Sequence, residues 1–173
     1  IGNNNVGVGY ISLSKNTEGS KNTAIGKAAL YSNTVGNSNI AVGNDTLLSN
    51  IMGNHNVALG DNTLYSNTIG NRNIAIGSNS LFKNDSGNFN VAIGDSALEN
   101  SIIYSNNTII WDKSGNNITN GTKNIIIGSE ANTSKVNSNN EIVIGYNATG
   151  NDDNSVTIGN LSLIHIWRCR RFA

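Results

Sequence analysis

The stretch GNHNVALGDNTLYSNTI, residues 53–69, runs directly into GNRNIAIGSNSLFKNDS, residues 70–86. Position by position the second restates the first: Gly-Asn-x-Asn, an aliphatic, Ala, an aliphatic, Gly, and three residues later a small residue followed by Leu. Outward from here the 17-residue step links Gly9, Gly26, Gly43, Gly60, Gly77 and Gly94, passes through Trp111, and resumes at Gly128 and Gly145; a step of 14 then reaches Gly159. A fixed period near 20 residues decides the architecture before local preferences do, because one such unit cannot bury its apolar face alone.

Columns are numbered from the Gly of Gly-Asn-x-Asn. Column 4 is Asn from Asn5 to Asn124, and columns 5 to 8 read Val-Ala-Ile-Gly or close variants. Alternation of β-branched and small residues predicts a strand, with Val57 and Leu59 on one face and Ala58 on the other. Column 11 is always small, and column 12 is Leu in the first six coils, Leu13 to Leu98. A second buried element therefore follows each corner, and both a strand and a short helical turn fit it.

Four aliphatic side chains at about 1.5–3 kcal/mol each cannot offset the backbone entropy of ordering a whole coil. Coils stacked in register about 4.8 Å apart share continuous sheets and align the column 4 Asn into an amide ladder. The expected fold is all-β: a parallel β-solenoid of about nine 17-residue coils plus one shorter coil. Residues 1–103 are its regular part and 104–160 a divergent continuation. Disorder, which Asn and Gly enrichment alone would suggest, does not account for a Leu every 17 residues.

Column 6 holds Ala24, Ala41, Ala58, Ala75 and Ala92. With the large aliphatics of columns 5 and 7 taken as the coil interior, an Ala column on the opposite face predicts close approach of another chain; the alternative is an Ala-lined interior. In column 6 the Ala give way to Ile109, Ile126, Val143 and Thr157.

Composition narrows the function. Of 173 residues only 13% are charged, there is no Pro and one Cys, and Asn makes up about a fifth of the chain, far from globular averages. The chain starts at Ile1 without a basic-then-apolar leader and reads as an internal piece of something longer. Residues 161–173, with LSLIHIWRCRR, resemble the translation of a sequencing-library adapter whose in-frame TGA is decoded as Trp167, and are set aside. Without them no Cys remains, and eight bases face eleven acids, a net charge of −3. Disulfide and thiol chemistry are thereby excluded, and a nucleic-acid reading loses its only basic cluster.

The motifs NVAIGDSA, residues 90–97, and NSVTIGN, residues 154–160, resemble the heads of YadA-like trimeric autotransporter adhesins and related repeats of phage tail fibres. The resemblance covers essentially all of residues 2–160. It implies a left-handed β-roll, three chains side by side, displayed outside the cell on an outer-membrane-anchored adhesin or on a virion. The implied partner is a host-surface receptor or matrix component, with no membrane insertion by this segment. The family head repeat is usually 14 residues, found here only in the last step. A tail-fibre segment for host recognition and a spacer without its own ligand are the competing readings.

No catalytic, cofactor-binding or metal-binding residue is assigned. His55 lies in column 3, which also accepts Asn4, Lys21, Ser38, Arg72 and Phe89; a column so tolerant is a solvated corner. GNNNVGVG lacks the Gly-Lys-Ser/Thr ending of a phosphate loop. Candidate ligand contacts are the variable surface columns: Tyr31, Tyr65 and Phe82 in column 13, and His55, Arg72 and Phe89 in column 3. Column 13 serves either to cover the coil edge or as a contact surface. Trp111 stands where every other coil has Gly, either as bulk at a transition coil or as a TGA codon misread as Trp.

Overall fold

In the computed structural model residues 2–103 and 105–160 are described; the segment 161–173, set aside above, lies outside the described residues. Ten short strands follow one another: β1 (Val6–Val8), β2 (Thr23–Ile25), β3 (Ile40–Val42), β4 (Val57–Leu59), β5 (Ile74–Ile76), β6 (Val91–Ile93), β7 (Thr108–Ile110), β8 (Ile125–Ile127), β9 (Ile142–Ile144) and β10 (Val156–Ile158). They form one parallel sheet in chain order, each strand pairing with the next coil's. Equal columns touch: Val57 pairs with Ile74, Ala58 with Ala75 and Leu59 with Ile76. The 14-residue step keeps that register, setting Ile142 against Val156. The chain is thus a β-solenoid of about nine turns, with no helix among the described residues.

Every strand except β7, which runs into Trp111, is followed by the column 8 Gly, where the next coil leaves little room for a side chain. At Gly60 φ is 130°, and a Cβ would lie 2.8 Å from the Gly77 carbonyl carbon. The second element is neither strand nor helical turn. Its residues in columns 10 and 12 take positive φ, as in Asn62 (54°) and Leu64 (51°). The backbone then sends hydrogen bonds both ways along the rod. Asn79 N–H donates to Asp61 O in the preceding coil at 3.0 Å, while Leu64 N–H donates to Ser80 O in the following coil at 3.0 Å. A left-handed Leu costs about 1–2 kcal/mol, and full burial of its side chain works against that cost.

The strand faces are the reverse of the sequence expectation. Ala24, Ala41, Ala58, Ala75 and Ala92 are fully buried in the coil interior beside Leu30, Leu47, Leu64, Leu81 and Leu98. Val57, Leu59 and their equivalents in columns 5 and 7 point outward and are half-buried or exposed. The Ala column is therefore enclosed by its own chain, the Ala-lined interior given above as the alternative. Its small size has an internal cause: the column 12 Leu fills the lumen opposite. In the first coil Gly7 holds the Ala column, and a Cβ there would lie 3.7 Å from Leu13 Cδ1.

Two buried amide ladders complete the interior. In column 4, Asn39 N–H and Nδ2 donate to Asn22 Oδ1 at 2.9 and 3.2 Å, and Nδ2 also donates to Gly53 O at 2.7 Å. That pattern recurs to Asn124. Column 15 forms a second ladder that the repeat comparison missed: Asn50 Nδ2 donates to Asn33 Oδ1 at 2.7 Å and to Gly53 O at 3.1 Å. The two ladders converge on the column 1 carbonyl, and a Cβ on Gly53 would sit 2.3 Å from Asn50 Oδ1. Gly opens the repeat because the amides close over it.

Candidate ligand-binding surface

The column 3 corner is held from both sides. His55, Arg72 and Phe89 have φ of 58°, 57° and 58°. Their N–H groups donate to the column 2 carbonyls of the preceding coil, Asn37, Asn54 and Asn71, at 3.0, 2.9 and 3.0 Å. Column 2 itself is a third ladder running the other way: Asn54 N–H donates to Asn71 Oδ1 at 2.9 Å and Asn71 N–H to Asn88 Oδ1 at 2.8 Å. Successive coils thus present their column 3 side chains in a row on a fixed backbone.

His55, Arg72 and Phe89, with Asn54, Asn71 and Asn88, line an open groove of about 380 Å³. The Arg72 guanidinium carbon lies 5.2 Å from the Phe89 ring centroid, within cation–π range. Among the described residues no carboxylate pairs with Arg72. The amides beside it are already committed: Asn71 Nδ2 donates to Ile69 O at 2.7 Å and to Asn88 Oδ1 at 3.1 Å. Free hydrogen-bonding capacity in the groove therefore belongs mainly to Arg72 and His55, with one Nδ2 hydrogen of Asn88, whose other donates to Ser86 O at 2.9 Å.

The column 13 candidates are elsewhere on the coil and do not line this groove. Tyr65 and Phe82 stack with centroids 5.1 Å apart and planes 19° apart, and Lys15 Nζ sits 4.5 Å over the Tyr31 ring. All three aromatics are half-buried, and their contacts are with neighbouring coils, which is how an edge cover behaves. The outward strand face is a different surface: Val6, Val8, Ile25, Ile40, Ile74 and Ile125 are each between 38 and 55% exposed. These columns were assigned to the interior on sequence. The signal that could have placed them outside is the obligate Leu of column 12, which already fills the space opposite.

Titratable groups cluster in the last coils. Glu141, fully buried, takes the column 4 position; its N–H donates to Asn124 Oδ1 at 3.0 Å, and its carboxylate accepts from Ser134 N–H at 3.0 Å and from the Ser134 hydroxyl. Exposed Lys135 pairs with Asp152 at 2.7 Å. That hydrogen bond holds the Lys135 pKa above its ordinary value and the Asp152 pKa below. Among the described residues no group of three or more His, Cys, Asp and Glu is placed to hold a metal ion, and no helix is long and apolar enough to cross a membrane. No protein-family model and no curated protein matches the chain.

Proposed function

We propose that the chain is a non-enzymatic attachment head: a rigid rod that works as a homotrimer outside the cell and binds a host-surface or matrix ligand. The observation that carries this reading is the outward face of the ten-stranded sheet, where columns 5 and 7 place two mostly aliphatic rows, broken in column 5 by Thr23 and Thr108, that stay half-buried or exposed on the single chain. Nine steps of about 4.8 Å and strands of about 10 Å give a patch of order 400 Å², the size of the largest apolar patch on a typical monomer, which is often functional. The partner contact expected of the Ala column belongs instead to these rows. A second copy supplies the matching surface, since equal columns stack in register along the whole sheet and repeat the same face.

Sedimentation of the full chain tests the assembly. Three copies are expected for the unmodified chain, and one folded copy for Ile74→Lys combined with Ile76→Lys. A folded monomer before substitution would refute the trimer. Attachment of chain-coated beads to matrix-covered surfaces tests the adhesive role, and beads that never attach would leave only a spacer.

A further inference from the structure

The geometry points to the groove at His55, Arg72 and Phe89 as a subsite for an acidic saccharide, one sugar ring bearing a carboxylate or sulfate. This deepens, and rests on, the reading of the chain as an attachment head. Arg72 is the centre of the site. Its guanidinium lies over the Phe89 ring without a carboxylate partner among the described residues, and a guanidinium in that position can fork an anion bidentately. Exposed His55 and the half-exposed ring of Phe89, where Arg72 does not cover it, offer flat surfaces against which the C–H face of a sugar ring can pack.

The same features argue against other ligands. Asn54 and Asn71 spend both Nδ2 hydrogens on Met52 O, Ile69 O and the next amide of the ladder, and Asn88 spends one on Ser86 O, so a ligand needing many donors, such as free phosphate, finds few beyond Arg72 and His55. Nucleic acid calls for a run of bases, and with the tail set aside the chain is net negative. A groove of about 380 Å³ is at the small end of ligand sites and suits one or two rings. Column 3 also shows that these residues are not demanded by the fold. Other coils place Asn4, Asn106 and Asn140 there at φ of 60°, 65° and 57°, and Asn is the residue that tolerates this conformation best after Gly. Over three consecutive coils His, Arg and Phe occupy a position where the backbone prefers Asn.

Asn therefore supplies substitutions that keep the fold. The full chain is titrated calorimetrically with a hexuronate tetrasaccharide, its carboxyl-reduced counterpart and a sulfated neutral tetrasaccharide. The expected result is binding of one or both acidic probes and at least tenfold weaker binding of the reduced one. Arg72→Asn should lose at least tenfold in affinity and Phe89→Asn severalfold, while Lys123→Asn, in column 3 outside the groove, should change nothing. Equal binding of the neutral probe, full affinity in Arg72→Asn, an equal loss in Lys123→Asn, or no binding of either acidic probe would each overturn the assignment. Bead attachment separates the two levels: beads that attach without sensitivity to the probes or to Arg72→Asn sink the subsite and leave the attachment head standing.

Discussion

Coils in residues 2–103 and those in residues 105–160 build the same cross-section from opposite walls. In the first region the strand contributes Ala and the facing turn Leu, as in Ala92 and Leu98, both fully buried. One coil later the strand contributes Ile109 and the turn Gly115, whose φ of 67° keeps the left-handed conformation that Leu98 holds at 52°. A Cβ on Gly115 would lie 3.1 Å from Ile109 Cγ2. The pair is exchanged as a unit, three carbons added on one side and four removed on the other. Column 15 changes at the same place: the Asn ladder gives way to Ser101, and then to Ile118, which joins the hydrophobic core. What the solenoid conserves is lumen volume, and either wall can supply it.

The largest expected effect comes from breaking that exchange. Ala58→Ile alone, in a coil that keeps Leu64, should cost about 3 kcal/mol through overpacking, and Leu64→Gly alone about 2–5 kcal/mol through the cavity it leaves. The double substitution should recover most of the loss, because it installs the pairing of Ile109 with Gly115. Urea unfolding of the four proteins gives the coupling energy directly. Additive losses would show that the two regions differ for a reason other than volume.

Next in size is Trp111, at the junction. Its φ of 112° lies where the same column in other coils has only Gly, and a non-Gly residue held so costs about 1–3 kcal/mol. Trp111 is also 60% exposed, so little burial compensates. Trp111→Gly should raise the unfolding free energy by roughly that amount, measured by thermal or urea unfolding. Reading the codon bears on the same point: TGG would establish Trp as the encoded residue.

A smaller gain should follow from carrying the first region's ladder one rung further. Asn84 Oδ1 and Ser101 Oγ are buried without a hydrogen-bond partner, where a longer side chain at 101 would reach back as Asn84 reaches Asn67 at 2.8 Å. Ser101→Asn should stabilise by about 1 kcal/mol. No gain, or a loss, in urea unfolding would mean that Ile118 in the next coil leaves no space for the amide.

The regular region was legible because its period aligns unlike residues into columns, and columns report what each position tolerates. Strand positions, the parallel register and the Asn22–Asn124 ladder follow from that alone. The inward face did not. Alternation says that Val57 and Ala58 face opposite ways, but which faces in depends on how much of the lumen another element fills, and Leu64 comes from a segment whose conformation alternation does not describe. Asn62 and Leu64 take positive φ, a geometry with no hydrophobic period of its own. At the candidate site, His55, Arg72 and Phe89 were visible as a variable column. The companion Asn54, Asn71 and Asn88 were not, because a column of Asn with a few Ser and Thr reads as scaffold, and here it is scaffold and groove lining together.

The smallest effect belongs to the divergent region alone, where Lys135 pairs with Asp152. Asp152 has its pKa lowered chiefly by the Lys135 hydrogen bond. The sign follows from linkage: a carboxylate depressed in the folded state contributes stability above its unfolded pKa, and that contribution disappears as pH falls through the folded value. Lys135 is raised by the same bond, so its share is complete below the ordinary lysine pKa and is lost only as pH climbs through the raised one. Both side chains are largely in water, with relative exposures of 47 and 66%, where screening leaves such pairs little net value. Lys135→Met should therefore barely change stability at neutral pH, and should slightly flatten the acid limb of a stability–pH profile. Since Met keeps most of the stem, a large loss at neutral pH would mean that the Lys135 charge matters beyond the ion pair, as an electrostatic partner of buried Glu141.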